Sequence, residues 1–267
     1  MSRILLAFLA RRSRTGTLMA VLGLLLFECA LAGFYARTRP DQNLAPMLEM
    51  IPPAIRALLG SEELSLATES GFLAMGFAHP LALLLMGAIA ILNASRLAGD
   101  IEARTIDLYL TQPISRSGLL ATHIALGAAA ATLAAAAAFA GHRLGVLVFA
   151  LPEPVAARPF LLVALNLALL VLALHALALG AATATNRRGI AVGIAVGALA
   201  LMLFLRLAAQ LWTAFEIPAF ASYLTYYVPG RIVAQQSLAP RDVLALAGYA
   251  VAGYALAWTV FVKRDLN

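Results

Sequence analysis

The sequence predicts an all-α membrane protein with six transmembrane helices and both termini on the cytoplasmic side. Three observations carry that expectation. Of 267 residues, 63% are hydrophobic and 12% charged, against roughly 45–50% and 25% in an ordinary soluble domain. Six apolar runs, each long enough to cross a hydrocarbon core of about 30 Å as a helix, take up about half of the chain. The basic residues sit at the ends of those runs and form no stripe, so the net charge of +6 points to membrane topology and away from nucleic acid. No stretch between the runs is long enough for a soluble catalytic domain, and residues 1–267 are read as one transmembrane domain.

The spans fall at about 17–36, 72–94, 118–140, 160–182, 190–210 and 242–262. An even number puts both termini on one side, and basic loop residues are retained in the cytoplasm. With the termini inside, the inner segments carry Arg3, Arg11, Arg12, Arg14, Arg96, Arg104, Arg116, Arg187, Arg188, Lys263 and Arg264 against Asp100, Glu102, Asp107 and Asp265. The outer segments balance Arg37, Arg39, Arg56, Arg143, Arg158, Arg231 and Arg241 with acids in about equal number. A cleaved signal peptide is the rival account of the first run, since Arg11-Arg12-Ser13-Arg14 precedes it and Ala30-Leu31-Ala32 follows. Glu28 interrupts the apolar core such a peptide needs, and the run is long enough to span.

Several activities are excluded by residue type. Lys263 is the only lysine and lies between Val262 and Arg264, whereas a P-loop needs a lysine after glycine and before a hydroxyl residue. ATP and Mg²⁺ are therefore not expected as cofactors of this chain. The single cysteine, Cys29, forms no internal disulfide, and His79, His123, His142 and His175 share no metal-ligand spacing. No H-E-x-x-H or G-x-S-x-G motif supplies a catalytic residue.

The connecting segments are more informative. Around residues 1–14, Ile4, Leu5, Phe8 and Leu9 form an apolar side among arginines, which suits a short amphipathic helix on the inner leaflet before the chain turns into the first span. A basic topogenic tail is the equal alternative. The last outer segment carries Trp212, Phe215, Phe220, Tyr223, Tyr226 and Tyr227, broken by Pro218, Pro229 and Gly230; it fits a re-entrant or interfacial hairpin, or an aromatic belt. In the inner segment after the second span, Arg96, Asp100, Arg104 and Asp107 recur every three to four residues. That spacing predicts an amphipathic helix ending before Pro113, with Leu97, Ile101, Leu108 and Ile106 on its apolar side.

This inner segment, with its acidic residues, Thr105, a leucine-rich stretch and Gln112-Pro113-Ile114-Ser115-Arg116, resembles the signature region of ABC-2-type permeases, the membrane subunits of many bacterial ABC exporters. The first outer loop with Pro52-Pro53-Ala54-Ile55-Arg56, the six-span plan and Lys263-Arg264-Asp265-Leu266 extend the resemblance over most of the chain. Two departures stand out: Arg104 replaces a usual glycine, and His123 stands near a usual lysine. The resemblance implies a bacterial plasma-membrane permease that works as a homodimer with a separate cytoplasmic ATPase, which would hold the ATP and Mg²⁺. It implies that Asp100, Glu102, Arg104, Thr105, Asp107, Gln112, Pro113 and Arg116, with the N-terminal helix, form the surface the ATPase pushes. A secondary transporter, or a scaffolding subunit passing ATPase motion to a periplasmic partner, are the rival readings.

Within the spans, Gly189, Gly193 and Gly197 make a doubled G-x-x-x-G whose flat stripe lets another helix approach closely. That helix belongs either to the same subunit or to a partner copy. Glu28, His175 and Arg206 are ionisable groups at membrane depth, where they face a cavity or a partner. Their positions along the first and fifth spans put Glu28 and Arg206 within side-chain reach of one another, while Arg206 snorkelling to the headgroups is the alternative. Membrane lipids surround all of these faces.

Overall fold

The computed structural model describes residues 3–38, 68–106, 114–151 and 155–263, and among them every regular element is helical. The first helix, α1 (Arg3–Thr38), runs unbroken for 36 residues, about 54 Å at 1.5 Å per residue. The expected separate N-terminal interface helix is thereby corrected. Nothing between residues 3 and 17 stops the helix, and Leu5 and Leu9 bury their apolar side in a protein cluster with Leu97, Ile101 and Leu119.

The second span is built in pieces: α2 (Glu69–Ala78), α3 (Pro80–Ala94) and α4 (Arg96–Glu102). The sequence read as one run through residues 72–94, but His79-Pro80 divides it. Proline has no N–H and disfavours a helical residue before it, so His79 is extended at φ −61° and ψ 141°, and its Nδ1 accepts from the Leu81 N–H. The expected amphipathic helix through Asp107 also ends early. Its last turn closes at Ala103, and Arg104 turns the chain with a φ of 55°, so Arg104 does not share the helical face of Arg96 and Asp100. Asp107, Gln112 and Pro113 lie outside the described residues.

The remaining spans are α5 (Arg116–Val148), α6 (Ala157–Ala184), α7 (Arg188–Leu211) and, after the aromatic segment, α10 (Pro240–Lys263). Each extends a few residues past its apolar run because polar flanks continue a helix until a cap or proline intervenes. Ser115 caps α5 by accepting from the Gly118 N–H at 3.1 Å. Between α7 and α10 lie a 3₁₀ turn (Thr213–Phe215), α8 (Glu216–Ala219), a second 3₁₀ turn (Tyr223–Tyr226) and α9 (Pro229–Gln235).

α6 is the hub, packed against α10, α5, α3 and α7. It is the most apolar candidate span and the most enclosed, with 61% of its central stretch buried against 11% for α7. Small residues bring backbones together at two seams. A Cβ at Gly141 of α5 would run into the Leu25 carbonyl of α1, and one at Gly145 would stand 2.6 Å from the Ala32 Cβ. A Cβ at Gly253 of α10 would stand 2.9 Å from the Ala176 Cβ of α6. By contrast, a Cβ at Gly189, Gly193 or Gly197 meets nothing within 4 Å. The doubled G-x-x-x-G therefore packs on nothing described within a single chain.

Candidate functional site

Arg12, Arg96 and Arg188 gather at one end of the bundle, the arginine end, where α1, α4 and α7 meet. Arg12 Nη1 pairs with Asp100 Oδ1 at 2.5 Å, and Thr105 Oγ1 donates to the same carboxylate oxygen or to the Asp100 carbonyl, each at 3.2 Å. The Asp100 side chain is 4% exposed, so its carboxylate faces α1 and not solvent. Arg96 Nη1 donates to the Arg12 carbonyl. The Arg188 backbone N–H donates to Glu102 Oε2 at 2.9 Å, and Arg188 Nε to Ser95 Oγ at 3.4 Å. Together these bonds form a clasp that ties the short α4 to the first and fifth spans.

One step deeper, Asn93 Nδ2 bonds Thr17 Oγ1 at 3.0 Å, adding a second link from α3 to α1. Of the residues expected to meet an ATPase, Glu102 and Arg104 are exposed, Thr105 and Arg116 are half-buried, and Asp100 is buried. Leu97, Ile101 and Ile106 are buried as expected. Arg188 is absent from that set and Arg12 enters it only as part of the N-terminal helix: their partners lie 86 and 88 residues away, beyond any local periodicity.

A second polar group lies further along the bundle. His175 of α6 is buried, and its Nδ1 and the Tyr254 hydroxyl of α10 are 3.1 Å apart. Its ring lies against Gly127 of α5, where a Cβ would overlap the imidazole. His175 is thus a helix-to-helix tether, and Gly127 is the clearance it requires.

The third group joins the aromatic segment to the opposite end of the bundle. The Tyr227 hydroxyl donates to the Phe77 carbonyl at 2.9 Å. Asn166 of α6 brackets the same turn: its Nδ2 donates to the Tyr226 carbonyl, and its Oδ1 accepts from the Val228 N–H. Ser222 Oγ donates to the Met202 carbonyl of α7 at 2.9 Å. Glu28 is 1% exposed, and its Oε1 has no hydrogen-bond partner among the described residues. Its carboxylate presses on Gly76, where a Cβ would stand 2.9 Å from Oε2. Burial pushes the Tyr227 hydroxyl's pKa up, the Glu28 carboxylate pushes it further, and Arg206 pulls it back. Glu28 and Arg206 therefore both lie within electrostatic reach of one phenol.

Among the described residues no cluster of three metal-binding side chains occurs. The fold and its sites define a multi-pass membrane protein with six helices long and apolar enough to span. A family model described as ABC-2 family transporter protein matches residues 7–266. The chain belongs to that family, and it is an ABC transporter permease whose membership implies association with an ABC ATPase partner. A search of curated proteins returns no match.

Proposed function

We propose that the chain is the membrane half of an ATP-driven exporter, forming the translocation path as a homodimer and driven by two copies of a cytoplasmic ATPase. The arginine end is then cytoplasmic, in keeping with the excess of basic residues there. The clasp is the observation that carries the reading. An exposed turn at Glu102 and Arg104 is bonded through Asp100 to Arg12 and through Glu102 to Arg188. A push on the turn reaches the first and fifth spans directly. The permease contributes only contacts that differ between states, and ATP binding in the partner selects among them.

The open glycine face of α7 fits the dimer seam, since association in lipid relies on close packing and not on hydrophobicity. The aromatic segment acts as a re-entrant hairpin closing the outer end. Its support is depth: Phe77, Asn166 and Met202 each sit eight or nine residues inside their helix ends, about 12–14 Å. Glu28 and Arg206 form an electrostatic pair around Tyr227, and opposite charge swaps at the two positions should rescue assembly lost in either single swap.

Co-expression with the cognate ATPase tests the whole. Wild-type permease should retain the ATPase through purification, and the exposed charge reversal Arg104→Glu should lose it while the permease stays folded and membrane-inserted. Retention undiminished by the reversal would remove the turn from the coupling surface. Hydrolysis stimulated by cargo distinguishes an exporter from a scaffold.

A further inference from the structure

The break in the second span is held by the side chain of His79. Pro80 brings no N–H to the first turn of α3, so the first donor to satisfy there is the Leu81 N–H, and His79 Nδ1 accepts it at 3.2 Å. This is the place of an N-cap side chain, filled as a rule by serine, threonine, asparagine or aspartate. The backbone of His79 serves both sides: its N–H donates to the Gly76 carbonyl of α2 at 3.1 Å, and its carbonyl accepts from the Leu83 N–H at 3.0 Å. The ring also rests against Phe27 of α1, with centroids 5.2 Å apart. One imidazole thus sets the start of α3 relative to α2 and α1.

An imidazole differs from the usual caps in that it titrates near neutral pH. To accept at Nδ1 the neutral ring carries its proton on Nε2, and a second proton has only Nδ1 to go to. Once protonated, Nδ1 is a donor facing the Leu81 donor, and the cap is lost. The new charge adds to the effect, because a cation is unfavourable at the positive N-terminal end of a helix. The ring must then swing away from α3, and its contact with Phe27 goes with the cap. His79 is half-buried and Pro80 beside it is exposed, so the ring is not sealed within the chain. Ionisable groups inside spans turn to a cavity or a partner.

We propose that His79 is a proton-operated latch on the second span: its neutral ring fixes the angle between α2 and α3, and its protonation releases that angle. Other ionisable groups come near the break from the elements packed around it. They are Glu28 of α1, against Gly76; His142 of α5, its ring 6.1 Å from that of Phe77; and Tyr227, bonded to the Phe77 carbonyl, with Arg206 of α7 in its electrostatic reach. α6 meets α2 there with the apolar Phe160, and Arg231 of α9 is paired with Asp242. These groups flank α2, whereas His79 alone among them caps α3.

The test reads the angle itself and needs neither ATPase nor cargo, so its failure is separable from failure of the transport reading. In the purified full chain carrying Cys29→Ser, spin labels are attached through Ser70→Cys on α2 and Leu92→Cys on α3, and the distance between them is recorded from about pH 8 to about pH 5, where histidine titrates. With His79 in place, a single narrow distance at the upper end should give way to a broader, shifted distribution at the lower. His79→Asn keeps an acceptor for the Leu81 N–H and does not titrate, so its distribution should stay narrow throughout; His79→Ser serves in the same way if the asparagine variant does not fold. His79→Ala, with no acceptor, should be broad at both ends. A pH response that survives in His79→Asn would belong to Glu28 or His142 and overturn the proposal. So would a distribution that does not change with His79 in place, or an alanine variant that stays narrow.

Discussion

Arg104 adopts a φ of 55°, a left-handed conformation that costs a residue with a Cβ about 1–2 kcal/mol. ABC-2-type permeases usually carry glycine here, and the backbone shows why: the turn after α4 suits a residue without a Cβ. Arg104→Gly relieves the strain but frees the unfolded chain, a loss of about 0.5–1 kcal/mol. The net expectation is a gain of about 0.5 kcal/mol in stability, read as a raised unfolding midpoint of the purified chain, whereas Arg104→Ala, which keeps the Cβ, should gain nothing. Retaining an exposed arginine in a strained turn is consistent with a role for its charge at the ATPase surface. A second residue-scale expectation concerns Asp100. Asp100→Asn weakens the bond from Arg12, and because Arg12 is 46% exposed the loss should stay near 1 kcal/mol. A double-mutant cycle with Arg12→Gln reads the coupling directly: near-zero coupling would mean that the clasp holds through Arg96 and Arg188 instead.

At the scale of elements, the glycines divide into two kinds that the sequence presents alike. Gly127 gives the His175 ring its place, so Gly127→Ala should destabilise by about 1–3 kcal/mol through overpacking, and His175→Ala should recover part of that loss in the same unfolding assay. Six spans, their order and the apolar side of α4 were legible because hydropathy and helical period are local signals. The unbroken α1 was not, because whether Leu5 and Leu9 meet lipid or protein depends on Leu97 and Leu119, far along the chain. The early end of α4 was hidden for a different reason: charge spacing suggested more helix than the backbone at Arg104 allows. The break at His79-Pro80 was written in the sequence, and an apolar run on both sides masked it.

For the whole molecule, the contrast between seams separates folding from assembly. Gly145 is packed within one chain and Gly193 is open. Gly145→Leu should therefore lower the monomer's stability and its yield, while Gly193→Leu should leave the monomer's midpoint unchanged and shift the complex toward single copies in size measurements by light scattering. A midpoint that falls equally in both would place α7 inside the subunit's own core and remove it from the dimer seam.

The divided second span bears on how such a molecule moves. α9 packs on α2, and Tyr227 bonds the Phe77 carbonyl, whereas α3 bonds α1 through Asn93 and continues into the clasp. The span is thus two rods meeting at a joint, each bolted to a different end of the machine. On the function proposed above, force arriving at the clasp would turn the lower rod while the upper one stays seated on the aromatic segment, so the two mouths of the pathway need not open in step. Pro80→Ala, which lets the rods fuse, should bind the ATPase as wild type does and yet uncouple hydrolysis from transport.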